Sequence, residues 1–89
     1  MAFSKQQLER VAALAREYGA TRLILFGSAL EHPESARDLD LACDGIKGWR
    51  LYELAARIEN ELKAPLDLIP LQPPTRFTRH IERQGRELL

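Results

Sequence analysis

The segment Arg22-Leu23-Ile24-Leu25-Phe26 restricts the folding of this chain more than any other. It is short, apolar and β-compatible, and Gly27-Ser28 stops it. A continuous apolar run of that length suits a strand covered on both faces, rather than one with a side turned to water. The remainder of the chain must therefore supply cover from two directions.

Two long helices are predicted to provide it. Ser4 and Gln7 form a capping-box pattern, with Phe3 and Leu8 placed as a hydrophobic staple. Leu8, Val11, Leu14, Ala15 and Tyr18 then recur at helical spacing, and Gly19 can close the helix in a left-handed conformation, which predicts a helix over about Lys5 to Tyr18. Leu51, Leu54, Ala55, Ile58 and Leu62 trace one face of a second long helix, which Pro65 ends by Ala64. Ser28 is expected to cap a short helix through about His32, followed by a loop at Pro33, Glu34 and Ser35. Asp38-Leu39-Asp40-Leu41-Ala42-Cys43 alternates polar and apolar residues, the signature of a strand, and Gly45 and Gly48 bracket the turn after it. Leu66 to Leu71 reads as a third strand, closed by Pro73-Pro74. The tail from Thr75 to Leu89 reads as helical, with Phe77, Ile81 and Leu88 apolar and Gly85 its weakest position. The resulting order, α-β-α-β-α-β-α, describes a single α/β (α+β) domain over residues 1–89 with one sheet packed against helices.

Composition narrows the function. Thirteen basic side chains balance thirteen acidic ones, whereas a duplex-DNA binder usually carries a basic excess, so nucleic acid is disfavoured as a partner. Cys43 is the single cysteine, which excludes an intrachain disulfide and a cysteine-rich zinc site and fits a reducing, cytoplasmic setting. No apolar run approaches the roughly 18 residues that span a bilayer, and no basic-then-apolar leader is read at the N-terminus.

The chemistry-bearing residues are acidic. Asp38 and Asp40 are two apart on a predicted strand, so both side chains leave one face, and Asp67 lies early in the next strand. Two like charges about 4 Å apart repel by ~4 kcal/mol at an effective dielectric of 20. A divalent cation with oxygen ligands is the simplest compensation, and magnesium suits carboxylates that share it with substrate phosphates. Gly27-Ser28, where a strand turns into a helix, offers backbone N–H groups and a hydroxyl of the kind that hold phosphate oxygens.

Leu25-Phe26-Gly27-Ser28, then Asp38-Leu39-Asp40-Leu41, then Leu66-Asp67-Leu68 resembles the minimal nucleotidyltransferase (MNT) family of the polymerase-β-type superfamily. The likeness runs from about Leu8 to the C-terminus. It implies the nucleotidyltransferase fold with a small mixed sheet. Asp38, Asp40 and Asp67 would be catalytic and metal-binding residues of a two-metal Mg2+ site, and Gly27 and Ser28 would hold the triphosphate. Asp67 would help activate the acceptor hydroxyl. It further implies ATP as AMP donor and a small helical HEPN-type toxin as partner, with this chain as antitoxin. The family usually continues Gly-Ser-Arg-Ala-Arg-Gly, whereas this chain reads Gly27-Ser28-Ala29-Leu30-Glu31-His32. Arg37, just before the acidic pair, is expected to approach phosphate from the other side of the loop and to substitute in part for the missing arginines. Because the chain ends soon after the third strand, a partner subunit is expected to complete the site.

Simpler roles remain for the other notable residues. Cys43 reads as a small buried hydrophobe, and His32 and His80 as surface residues. Trp49 and Tyr52 read as packing at the start of the second long helix, or as an interface. Arg76, Arg79, Arg83 and Arg86 read as a solvated basic stripe. The competing class of function is a non-catalytic antitoxin or binding module that keeps the fold and masks a partner.

Overall fold

The computed structural model describes residues 3–89. Its elements are α1 (Lys5–Glu17), β1 (Arg22–Phe26), α2 (Ser28–Glu31), β2 (Leu39–Asp44), α3 (Trp49–Leu62), β3 (Leu66–Pro70), α4 (Arg76–Gln84) and β4 (Arg86–Glu87). The strands form one mixed sheet in the order β3-β2-β1-β4. β1 runs antiparallel to both β2 and β4, whereas β2 and β3 are parallel and joined through α3. A parallel pair needs such a crossover, and α3 supplies it.

Local signals fix the helix ends. The Ser4 hydroxyl accepts from the Gln7 amide at 3.0 Å, and the Gln7 side chain accepts from the Ser4 amide at 2.8 Å, closing the capping box. At the other end of α1, Gly19 (φ 100°) donates to the Arg16 carbonyl and Ala20 donates to that of Ala15. These are the two bonds of a Schellman motif, and its left-handed position favours glycine. α3 stops at Lys63, itself left-handed at φ 56°, ahead of Pro65.

The apolar run behaves as its composition requires. Leu23, Ile24 and Leu25 are all buried. Leu23 and Leu25 join Leu39, Leu41 and Cys43 on one face, packed under Leu8, Val11 and Leu14 of α1 and Leu51, Leu54 and Ile58 of α3. Ile24 and Ala42 face the other way, where Leu71 and Ile81 complete a smaller buried cluster, with Phe26 and Ile69 packed against it. The sheet is thus fully covered on one face and partly covered on the other. Arg10 forks onto Glu61 with two bonds of 2.8 Å, linking α1 to α3 across the larger layer.

The tail departs from the sequence expectation. It is not helical to Leu89: α4 ends at Gln84, and Arg86–Glu87 pair with β1 as a fourth strand. Gly85 permits this, because a Cβ there would fall on the Ile24 side chain and against the carbonyl oxygens of Ile81 and Leu25. Arg22 reaches both Glu82 and Glu87 and holds this end against β1. Of the two expectations for Trp49 and Tyr52, core packing is not met and the interface alternative stays open. At 69% and 79% exposed they pack into no core. His32 and His80 are exposed, as read from the sequence. No helix among the described residues is long and apolar enough to cross a membrane.

Cys43 is 1% exposed, and burial pushes its thiol up to about 11. Since the thiolate is the reactive form, Cys43 is expected to resist a thiol reagent at neutral pH and to react at once in denaturant. A timed labelling assay checks this.

Candidate functional site

Strand register assembles the acidic residues. Asp40 lies opposite Phe26 on one side and opposite Asp67 on the other, so Phe26, Asp40 and Asp67 form one row across three strands. Directly paired residues share a face, and this row lies on the face carrying Ile24, Ala42 and Ile69. The alternation of β2 explains the choice. Leu39, Leu41 and Cys43 are claimed by the large core, which turns Asp40 and Ala42 to the opposite side. α4 packs on that side chiefly over β1, where Ile81 meets Ile24 and Ala42, while Asp67 stays exposed and Asp40 half-buried.

Asp38 sits differently from the sequence reading. β2 begins at Leu39, and Asp38 occupies the bend before it rather than the strand itself. Bonding of the Leu39 amide to the Pro65 carbonyl at 3.0 Å fixes this bend beside the start of β3. Asp38 and Asp67 are exposed and Asp40 is half-buried. Desolvation raises the Asp40 carboxyl above the usual aspartate range, and the charges of Asp67 and Asp38 add to that. The Asp40 carboxyl therefore feels the charge of both neighbouring aspartates.

Gly27 completes the row. It lies at φ 73°, a conformation that side chains rarely adopt, and a Cβ there would fall on the Asp40 carboxylate. The expected role of Ser28 as helix cap is corrected. Gly27 is the N-cap, and Ser28 is the first residue of α2, exposed and without a capping bond. The opening amides of a helix have no intrahelical partner, so the Gly27-Ser28 turn presents N–H groups and a free hydroxyl next to Asp40. Gly27→Ala is expected to cost about 1–3 kcal/mol of stability from backbone strain alone and to displace the Asp40 carboxylate. Chemical denaturation, with cation binding measured in parallel, checks both.

Arg37 is exposed and lies one residue before Asp38. The positions filled by arginine in the family pattern hold Ala29, which is buried, and Glu31, which is exposed. The basic stripe is also redrawn. Arg76, Arg79 and Arg83 line one surface of α4, whereas Arg86 lies on β4 beside Arg16 and Lys5.

Three carboxylates offer hard, acceptor-only oxygens, the donor type that suits Mg2+. Desolvation is the main cause of the Asp40 shift, and a cation among the three would offset the like-charge repulsion that adds to it. Among the described residues, no three His, Cys, Asp or Glu side chains are drawn together tightly enough to hold an ion as they stand. The donor chemistry of the three carboxylates suits a cation, although they do not form a closed ligand set as they stand.

Phe77 was legible only as an apolar residue of the tail. It meets Phe26 edge-on, with ring centroids 5.8 Å apart and planes at 85°, yet stays 55% exposed. Its spacing of four from Ile81 was the available signal that both project from one side of α4.

No family model and no curated protein matches the chain. Solved structures do. One is a chain of the Shewanella oneidensis complex of tri-AMPylated HEPN toxin with MNT antitoxin, at 21% identity and a TM-score of 0.75, covering 100% of this chain and 72% of that one. A toxin–antitoxin complex with AMP-PNP matches at 21% identity and a TM-score of 0.78, over 92% of this chain and 72% of that one. The MntA–HepT complex matches at 20% identity and a TM-score of 0.75, over 97% of this chain and 72% of that one. The fold is that of the MNT nucleotidyltransferases, as the sequence resemblance implied.

Proposed function

We propose that this chain is a Mg2+-dependent nucleotidyltransferase that transfers AMP from ATP to a hydroxyl on a partner protein, acting as the antitoxin toward a small helical HEPN-type toxin. The observation that carries the reading is the contact between the Gly27 turn and the Asp40 carboxylate, with Asp67 in register beside it. A phosphate-binding turn and an acidic cluster at one point are what phosphoryl-group chemistry requires. The AMPylated toxin and the AMP-PNP of the neighbouring complexes support the donor and the class of partner.

In this reading Asp38, Asp40 and Asp67 would hold the metal, and magnesium, when bound, neutralises charge on the phosphate oxygens. The Gly27 and Ser28 amides and the Ser28 hydroxyl orient the triphosphate. Arg37 approaches it from the loop before β2. The acceptor hydroxyl attacks the α-phosphorus in line, its oxygen forming the new bond as the bond to pyrophosphate breaks. Asp67, exposed at the open edge strand, favours loss of the hydroxyl proton. The exposure of Asp38 and Asp67 supports a site that the partner surface covers during transfer.

The test incubates the protein with the product of the adjacent open reading frame and labelled ATP. Label on the partner, lost in the Asp38→Asn, Asp40→Asn double variant, is the expected result. Absence of label, or its survival in that variant, would overturn the reading. A second reading is favoured by the composition of α2. With Ala29 buried and Glu31 in place of a second arginine, the chain has the features of a non-catalytic antitoxin that masks its partner. Calorimetric titration with Mg-ATP separates the two, because a masking module need give no saturable heat.

A further inference from the structure

Between α2 and α4, next to Gly27, lies a cleft of about 420 Å3 that the chemistry above leaves unused. Phe26, Leu30 and Phe77 form apolar wall, while Glu31, His80 and Gln84 contribute polar ends. α4 is anchored without Phe77. The Thr75–Thr78 capping box fixes its first turn, and Thr78 and Ile81 are buried. Phe77 nevertheless presents a ring that is 55% exposed and braced edge-on by Phe26. A concave apolar site with few polar groups and one accessible aromatic ring suits a flat heteroaromatic ligand whose edge carries donors and acceptors.

The cleft meets the acidic row at Phe26 and Gly27. Phe26 is the register partner of Asp40, and Gly27, which lines the cleft, abuts the Asp40 carboxylate. A triphosphate held at the Gly27-Ser28 turn therefore borders this cleft through Gly27.

We propose that the cleft receives the nucleobase of the bound triphosphate, with Phe77 as its stacking surface and Glu31, His80 and Gln84 at the base edge. This rests on the triphosphate reading of Gly27 and Ser28. It also gives the chain a second hold on nucleotide, independent of the arginines absent from α2.

Titration calorimetry of the full chain with Mg2+ separates the two, using a non-hydrolysable ATP analogue and inorganic tripolyphosphate as probes. Base stacking on an aromatic ring corresponds to a loss on the order of 10-fold or more when the ring is removed. Phe77→Ala is expected to weaken the ATP analogue by that factor and leave tripolyphosphate unchanged, while Phe77→Tyr retains the binding of both. Phe77→Leu, which keeps apolar volume without a planar face, is expected to behave as the alanine variant. Equal losses for both probes, or undiminished analogue binding in Phe77→Ala, would overturn the cleft as the base site. A wild-type chain that binds tripolyphosphate no more weakly than the analogue would also overturn it, leaving the phosphate site intact. Binding of neither probe would overturn the triphosphate reading, and this inference with it.

Discussion

Asp40→Asn is expected to abolish the nucleotidyl transfer proposed for this chain while making the metal-free protein more stable. Loss of one charge-stabilising group in an active site commonly costs about 100- to 1,000-fold in rate, and label transfer to the partner is expected to fall at least that far. The gain in stability follows from the direction of the Asp40 shift. Desolvation, then Asp67 and Asp38, raise this carboxyl above its ordinary range in the folded chain. Folding therefore favours the protonated form. The associated stability is fully present below the unfolded-state pKa and is lost as pH rises through the folded one. At neutral pH the ionised Asp40 is thus a net cost, which a neutral, nearly isosteric asparagine removes. Each kcal/mol relieved raises the melting midpoint of a domain this size by roughly 4–8 °C. Melts of wild type and variant in chelator are expected to differ at pH 7 and to converge toward about pH 4, the ordinary aspartate range. Added Mg2+ is expected to raise the wild-type midpoint and leave the variant where it was. A variant less stable than wild type at pH 7 would show that Asp40 is held by contacts and not opposed by its neighbours.

The second large effect concerns the tail. Gly85→Ala is expected to destabilise the fold by about 2–3 kcal/mol, the range for overpacking a filled site. The added methyl would meet Ile24, buried in the smaller cluster, and two backbone carbonyls that cannot move aside cheaply. A domain of this length has on the order of 5–13 kcal/mol in total, so the loss is a large share. The midpoint is expected to fall by roughly 10 °C or more. Because β4 is held by few residues, the damage should begin there. Hydrogen exchange at the Leu88 amide, which donates to the Leu23 carbonyl at 2.8 Å, is expected to accelerate before that of β2. Uniform acceleration across the sheet would show that β4 and α4 unfold only with the whole domain.

These variants probe the two ends of what could be read in advance. The long helices were legible because their signals are local: the Ser4–Gln7 box, Gly19, and the spacing of Leu51, Leu54 and Ile58. The β1 run announced cover on both sides by lacking a polar face, and Leu23, Ile24 and Leu25 are buried accordingly. The tail was misread because nothing within Arg86–Glu87 looks like a strand. Its conformation is decided by β1, which offers an open edge, and by Gly85, which lets the chain pass close over Ile24. Trp49 and Tyr52 lie off the face of α3 that buries Leu51, Leu54 and Ile58, so the packing expected of them is absent and the alternative of an interface remains.

The same division holds at the acidic site. By itself the sequence determined the residue types and their order: a glycine-serine turn, two aspartates spaced by one residue, a third on the following strand, and no arginine on the turn that follows Gly27-Ser28. Those are matters of chemistry and spacing, which a linear chain states directly. Only the tertiary structure decided that Asp40 and Asp67 are register partners, that Asp38 stands in the bend before the strand, and that Gly27 lies against the Asp40 carboxylate. Register and close approach depend on which strands pair and which faces the helices cover. In this chain the large core takes the leucines of β2, and that packing choice is what turns its aspartate toward the turn.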